Sequence, residues 1–204
     1  YWTATPESVT ILELSKMEAG RLDLNPMNVD LNILLSDIQL FFKEQVESRH
    51  LQFIFETASN LPRYVLVDEN KLRRIFINLI GNAIKFTDEG GIAIRVRTDQ
   101  INPIKSRLIV EIQDSGPGIP ENEIGKLFKH FVQTSSGMSK SSGTGLGLAL
   151  SRELAILMGG DITVSNKVGL GSIFTFFVEI EVGKAEAVQD AFRKRVIGID
   201  KGHK

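Results

Sequence analysis

The sequence predicts an α/β fold, a two-layer sandwich in which helices cover a mixed, mostly antiparallel sheet. Apolar residues recur at helical spacing in some stretches and alternate with polar residues in others. These two kinds of stretch do not follow a regular βαβ rhythm, which argues against a doubly wound parallel sheet. The chain has 204 residues and a hydrophobic fraction of 42%. This is enough for the core of one domain, or of one domain with an appendage.

The N-terminal half of the chain predicts two long helices around short strands. Asp30 and Asp68 are good N-cap residues, and apolar residues at helical spacing follow each of them. In chain order we predict a short helix at 11–20, a helix from 31 to about 46, strands near 51–55 and at 64–67, and a helix at 69–86. The apolar positions of the second helix are Leu31, Leu34, Leu35, Ile38, Phe41, Phe42 and Val46.

The C-terminal half predicts four strands and two helices. Residues 134–143 are rich in Ser, Thr, Gly and Lys, a composition that is too polar to pack and that predicts a mobile flap. We predict strands at 91–98 and 107–113, a short helix at 121–128, a helix at 145–158 that ends at two glycines, and a hairpin with strands 161–167 and 172–181.

Charge and cysteine content exclude several classes of function. The net charge is −1 and the chain has no cysteine. There is therefore no whole-molecule field for nucleic acid or an anionic membrane, and no disulfide or thiolate metal site. No apolar run is long enough to span a bilayer, and no signal peptide opens the sequence. We expect a cytoplasmic chain without nucleic-acid or membrane contact, although a longer parent protein can be membrane-anchored.

A polar stripe crosses the otherwise apolar helix at 69–86. Asn78, Asn82 and Lys85 lie at positions i, i+4 and i+7 and therefore share one face. An amide oxygen is a suitable ligand for Mg²⁺, and a lysine can meet a phosphate as a point charge. The alternative is a solvated helix face that carries two asparagines by chance.

Two glycine-containing segments follow this helix. Asp114 ends a predicted strand before Gly116 and Gly118, so that its carboxylate can accept a hydrogen bond from the exocyclic amine of adenine. The alternative is a common Asp-Ser-Gly turn. The segment 143–147, Gly-Thr-Gly-Leu-Gly, opens a helix whose N-terminal N–H groups can bind a phosphate chain. Its context fits neither a Walker loop nor a Rossmann fingerprint, and the alternative is a hinge or a close-packing device.

The order and spacing of these segments resemble the catalytic and ATP-binding domain of sensor histidine kinases, possibly of the hybrid type. These kinases belong to the superfamily of gyrase, MutL and heat-shock chaperone ATPases. Asn78 and residues 79–87 resemble the N box, residues 114–119 the G1 box, residues 128–131 the F box and residues 143–147 the G2 box. The resemblance covers about residues 11–182 and implies a Bergerat-type ATP-binding fold, with ATP between the helices and a lid at 132–142.

The resemblance also implies roles for individual residues. Asn82 would hold Mg²⁺, Asn78 and Lys85 would act as catalytic residues at the phosphates or the metal, and Asp114 would bind the adenine amine. The remaining residues expected to bind the nucleotide are Gly116, Gly118, Ile119, Gly143, Thr144, Gly145, Leu146, Gly147 and Leu148.

The resemblance divides the chain into three parts. Residues 1–22 correspond to a remnant of the dimerising hairpin helix or to a junction sequence that is not native, residues 23–182 to the catalytic and ATP-binding domain, and residues 183–204 to a linker or tail. The H box with its phosphate acceptor is missing, because none of the three histidines stands in such a context. The implied partners are a separate dimerisation and phosphoacceptor hairpin and a response-regulator receiver domain, and we expect a monomer.

The first asparagine of the stripe distinguishes among the possible reactions. In the related ATPases the position of Asn78 holds a glutamate that activates water, and an amide cannot take that proton. We therefore predict an ATP- and Mg²⁺-dependent protein-histidine kinase domain that donates the γ-phosphoryl group to a histidine on another segment. The alternatives are a conformational ATPase of the same fold and a non-catalytic module that senses ATP or docks a partner.

Overall fold

The computed structural model describes residues 22–129 and 145–183. In this part the chain forms seven strands and four helices. They are β1 (Met27–Asp30), α1 (Leu31–Glu47), β2 (Gln52–Thr57), β3 (Tyr64–Val67), α2 (Glu69–Phe86), β4 (Gly91–Gln100), β5 (Lys105–Asp114), α3 (Glu121–Ile124), α4 (Gly147–Leu157), β6 (Asp161–Lys167) and β7 (Gly171–Val182). The helix predicted at 11–20, the whole of the flap predicted at 134–143 and the predicted tail from 184 onward lie outside the described residues.

All seven strands belong to one mixed sheet. The strand order is β1-β3-β7-β5-β4-β2, and β6 pairs with β7. Only the pair of β2 with β4 is parallel among these pairings. β7 is long enough to pair with β5 on one side and with both β6 and β3 on the other. The predicted mixed, mostly antiparallel sheet is confirmed.

The helices cover this sheet and enclose one continuous core. α2 packs against α1 and α4, and each of these three helices contacts at least one strand. At the centre, the fully buried rings of Phe76 in α2 and Phe176 in β7 meet edge to face, with their centroids 5.1 Å apart. The structure therefore has the two-layer helix-on-sheet architecture that the sequence predicts.

The two long helices begin where their caps predict. The Asp30 carboxylate accepts hydrogen bonds from the backbone N–H groups of Asn32 and Ile33. The Asp68 carboxylate accepts one from the N–H of Lys71. Each carboxylate satisfies N–H groups in the first turn that have no partner within the helix.

The structure corrects several details of the prediction. β1 was not predicted, and it pairs antiparallel with β3. The predicted apolar face of α1 included Phe41, but this residue is 57% exposed whereas Phe42 is 2% exposed. The helix predicted at 121–128 spans only α3, because the chain leaves helical hydrogen bonding at Gly125 and continues in turns. α4 begins at Gly147 rather than at residue 145, because Gly145 has a positive φ of 71°.

Within residues 22–129 and 145–183, no helix is both long and apolar enough to cross a membrane.

Candidate functional site

The α2 stripe and the start of α4 lie against each other. The Asn78 side-chain N–H donates to the hydroxyl of Ser151 on α4, over 2.8 Å. A methyl group on Gly147 would overlap the side-chain oxygen of Asn78. The first turn of α4 can approach the carboxamide this closely only because residue 147 is glycine. The structure thus brings together Asn78 and Gly147, two of the predicted site residues.

The Asp114 carboxylate is buried and firmly held at the end of β5. It is 5% exposed. Its Oδ1 accepts the N–H of Gly116 at 2.9 Å and, more weakly, the N–H of Ser172 at 3.4 Å. Its Oδ2 accepts the hydroxyl of Ser172 at 2.6 Å. A carboxylate offers about four acceptor sites, so one of them, on Oδ2, receives no donor from the part of the chain that the structure describes.

The loop after Asp114 passes close to the end of α2. A methyl group on Gly116 would lie 2.8 Å from the carbonyl oxygen of Phe86, the last residue of α2. Gly118 has a φ of +72°, a conformation that a residue with a side chain rarely adopts. Both glycines are therefore required by the path of the chain, because the end of α2 and the end of β6 occupy the space that a side chain would need.

Two contacts attach this loop to the β6–β7 hairpin. The Asn166 carboxamide accepts the N–H of Ile119 and donates to the carbonyl of the same residue, both over 2.6 Å. The N–H of Gly169 donates to the carbonyl of Pro117 over 2.8 Å. The sequence analysis did not identify Asn166 or Ser172 as site residues. Nothing in the local sequence reveals them, because their partners lie 47 and 58 residues away along the chain.

Asn82 and Lys85 lie on the α2 stripe, between the place where α2 meets α4 and the place where it meets the loop after Asp114. Asn78, next to Gly147, and Phe86, next to Gly116, are two helical turns apart, and Asn82 lies midway. Both Asn82 and Lys85 are half-buried. No hydrogen bond from the Asn82 carboxamide is found among the residues that the structure describes, and the Lys85 ammonium lies 5.2 Å from the Phe86 ring centroid.

The G2-like segment is described in part. Gly143 and Thr144 lie outside the described residues, whereas Gly145 is the turn that precedes α4. Leu146 is fully buried in the core and Leu148 packs against that core. The nucleotide contacts expected of these two leucines stay a prediction.

The Arg152 guanidinium on α4 contacts both β6 and the segment that follows α3. Arg152 forms a bidentate ion pair with Asp161 at the start of β6, over 2.7 and 3.1 Å. Its guanidinium also lies 5.1 Å from the ring centroid of Phe128, in the F-box-like segment. The hydrogen bond from Arg152 is the main reason why the pKa of Asp161 lies below its ordinary value. α4 is thus attached both to the sheet and to the segment that follows α3.

Residues 22–129 and 145–183 contain no cluster of three or more His, Asp or Glu side chains suited to a metal ion. The amide oxygen of Asn82 is a donor that could bind a divalent ion together with oxygens of water and substrate. Mg²⁺ is commonly bound in this way, because it retains several waters and shares its shell with phosphates.

Comparison with known proteins identifies relatives for most of the chain. The family model described as "Histidine kinase-, DNA gyrase B-, and HSP90-like ATPase" matches residues 67–182. The aerobic respiration control sensor protein ArcB of Escherichia coli (strain K12) is 41% identical over 89% of this chain, which corresponds to 23% of ArcB. The signal transduction histidine-protein kinase BarA of the same organism is 35% identical over 84% of this chain and 19% of BarA.

Solved structures give the same result at the level of the fold. Full-length ShkA in complex with AMPPNP matches with a TM-score of 0.72 and 29% identity, covering 87% of this chain and 36% of ShkA. Histidine kinase ThkA in complex with the response regulator protein TrrA matches with a TM-score of 0.57 and 27% identity, over 87% of this chain and 49% of that one.

The chain spans about a quarter or less of the length of ArcB and BarA. Within that span, the family model, the sequence relatives and the fold all agree. The relatives BarA and ThkA are histidine kinases by name. The chain belongs to the histidine kinase-, DNA gyrase B- and HSP90-like ATPase family.

Proposed function

We propose that this chain is a kinase catalytic domain that binds ATP with Mg²⁺ and donates the γ-phosphoryl group to a histidine on a separate helical hairpin in two-component signalling. The observation that carries the proposal is the buried Asp114 carboxylate, which Gly116 and Ser172 hold in place with one acceptor site remaining. In this proposal residues 23–182 form the domain, and residues 1–22 and 183–204 flank it.

The Asp114 carboxylate would select the base. Its remaining acceptor site suits an exocyclic amine such as that of adenine, whereas guanine presents a carbonyl oxygen at the equivalent ring position. An oxygen facing a buried carboxylate would be repelled and would leave both groups without a donor. Gly116 and Gly118 would let the loop turn tightly beside the base, because neither position has room for a side chain.

The α2 stripe and the start of α4 would receive the phosphates. The N-terminal N–H groups of α4 favour a negative charge, and Lys85 adds a positive charge on the same side of α2. The amide oxygen of Asn82 would hold Mg²⁺, which when bound neutralises charge on the phosphate oxygens. Asn82 fits this role because its carboxamide is half-buried, with no partner among the described residues.

Asn78 favours transfer to a protein nucleophile over transfer to water. Its N–H group is directed to Ser151, and its amide oxygen has no basicity with which to deprotonate water. Without a base, bound ATP would be hydrolysed slowly, and an imidazole that is already nucleophilic at neutral pH would be the preferred acceptor. We propose that a receiver domain then accepts the phosphoryl group, because ThkA has been solved with a response regulator.

The first experiment tests nucleotide binding. Asp114→Asn replaces an acceptor oxygen by an N–H donor with little change in shape, so calorimetry should detect no ATP affinity. Asp99→Asn is the matched control. Asp114 is paired with Ile92 near the start of β4, whereas Asp99 is exposed near the end of β4 and forms an ion pair with Arg97 on the same strand. The Asp99→Asn variant should therefore bind ATP as tightly as the wild type. Unchanged ATP affinity of Asp114→Asn would exclude the proposed base site.

The second experiment distinguishes among the three candidate activities. The chain is incubated with labelled ATP, Mg²⁺ and a separately expressed helical hairpin that carries a histidine. Acid-labile label on the hairpin would support the kinase. Steady phosphate release without the hairpin would favour the conformational ATPase, and binding without either product would favour the non-catalytic module.

A further inference from the structure

We propose that Asn166 is a positioning residue of the base site, which fixes the loop of residues 115–119 against the β6–β7 hairpin so that the site is already formed before ATP binds. The inference rests on the proposed function and assigns a role to a residue outside the four boxes. Asn166 would act through the backbone of Ile119 and would not contact the base itself.

The two hydrogen bonds of Asn166 require a carboxamide. Its oxygen accepts the N–H of Ile119 and its nitrogen donates to the carbonyl of Ile119, each over 2.6 Å. The side chain thus satisfies both backbone groups of one residue, much as a neighbouring strand would. An aspartate would place an oxygen against the Ile119 carbonyl, and an alanine would leave both half-buried groups without this partner.

The position of Asn166 in the sheet connects the loop to the carboxylate. Asn166 on β6 is paired in register with Ser172 on β7, and Ser172 is paired in register with Asp114 on β5. One row across three adjacent strands therefore contains all three side chains. Ser172 holds the carboxylate, and Asn166 holds the far end of the loop that follows this carboxylate.

The loop also packs closely against the end of β6. A methyl group on Gly118 would lie 2.9 Å from the Asn166 side-chain oxygen and 2.8 Å from the carbonyl oxygen of Lys167. A further hydrogen bond between the loop and the hairpin joins Gly169 to Pro117. If the Asn166 contacts were lost, the hydrogen bond between Gly169 and Pro117 would still hold the loop to the hairpin, but the backbone of Ile119 would no longer be bound to β6.

When the loop is ordered before ATP binds, binding carries no entropic cost for ordering it. If the loop is released, ATP must order it on binding, and the affinity for ATP falls by that entropic cost. Among the described residues, the hydrogen bonds of the Asn166 side chain go to Ile119 and not to α2 or α4, which form the proposed phosphate side of the site. The KM for ATP should therefore rise while kcat at saturating ATP is preserved, which a general loss of stability would not produce.

The experiment compares Asn166→Ala and Asn166→Asp with the control Ser165→Ala, all in the full 204-residue chain. Ser165 is the preceding, exposed residue of β6, and the alternation of the strand directs it to the opposite face. Phosphoryl transfer to the separate histidine hairpin gives KM and kcat, and calorimetry gives the ATP affinity. Both Asn166 variants should show KM and Kd for ATP raised about tenfold or more, with kcat within about twofold of the wild type. Ser165→Ala should match the wild type.

A measurement on the wild type keeps the test decisive if the variants fold poorly. The amide of Ile119 should be protected from hydrogen exchange in the absence of nucleotide, and ATP should add little further protection. Fast exchange of this amide, or unchanged KM and Kd in folded Asn166 variants, would overturn the inference alone. Failure of the wild-type chain to bind ATP would instead overturn the proposed function, and this inference with it.

Discussion

The Asp68 side chain both caps α2 and binds two further groups, the Lys71 ammonium and the N–H of Asn25. It is 4% exposed. It caps α2 through the N–H of Lys71 at 3.1 Å, and it also accepts the Lys71 ammonium at 2.5 Å and the N–H of Asn25 at 2.9 Å. Burial acts to raise the pKa of Asp68, but the hydrogen bonds from Lys71 and Asn25 together hold it below the ordinary value of 3.8.

This direction predicts a pH dependence of stability. The folded state binds fewer protons than the unfolded state, so the ionised carboxylate stabilises the fold above about pH 4, and this stability is lost as the pH falls through the lower folded pKa. Asp68→Asn should therefore weaken the decline in the free energy of unfolding between about pH 5 and pH 3, measured by urea denaturation. Asp99→Asn serves as the exposed control. An unaltered pH slope in Asp68→Asn would contradict the assignment.

Local sequence identifies candidate site residues, but not the residues that hold their side chains in place. The motif around Asp114 was visible because the strand end, the glycines and the carboxylate lie within five residues. The residues that hold the site are distant along the chain: Ser151 lies 73 residues from Asn78, and Ser172 lies 58 from Asp114. A serine in a helix or a strand has no spacing signal of its own, so only the fold reveals these pairs.

At the scale of elements, two glycines of the helices provide a matched pair of substitutions. A methyl group on Gly147 would overlap the Asn78 carboxamide, which Ser151 holds in place. Gly147→Ala should therefore displace Asn78 and weaken ATP binding in calorimetry, at a modest cost in folding stability. At Gly81, inside α2, an added methyl group would have no neighbouring atom within 4 Å among the described residues.

Gly81→Ala should accordingly stabilise the protein. Replacing a mid-helix glycine by alanine lowers the entropy of the unfolded chain and should raise the free energy of unfolding by about 0.5–1 kcal/mol. Urea denaturation measures this gain, and ATP affinity should be unchanged. Equal ATP affinities of the Gly147 and Gly81 variants would contradict the proposed role of the close contact between α2 and α4.

Elements with strong local signals were predicted well, and those defined by distant partners were not. α2 begins at Glu69 and ends at Phe86 as predicted, because the Asp68 cap and the apolar periodicity are contained in the helix itself. β1 has only four residues and exists through its pairing with β3, more than thirty residues later, so alternation could not identify it. The exposure of Phe41 depends on where the edge of the apolar face falls, which spacing alone leaves open.

At the scale of the whole molecule, the core extends beyond the region that the family model matches. The match to the family model begins at residue 67. The segment before it contributes buried side chains to the same core cluster: Val29, Leu31, Leu34, Leu35, Ile38, Phe42, Val46, Leu51 and Val65. Removing this segment would expose the apolar faces of α2 and the sheet.

A fragment of residues 67–183 should therefore lose the cooperative unfolding transition. Circular dichroism during urea denaturation should show a broad, non-cooperative change, whereas residues 22–183 should unfold in one transition. A shorter fragment that unfolds cooperatively at the same midpoint would show that the family-matched region is an independent folding unit.

β7 follows the six other strands of the sheet in the sequence, yet it lies between β3 and β5. While a ribosome is translating this chain, the two halves of the sheet cannot join until their middle strand has emerged. The unpaired edges of β3 and β5 are then open to chaperones or to a neighbouring nascent chain. Completion of the sheet consequently waits for β7, and because β7 supplies Ser172, the Asp114 site is completed in that same step.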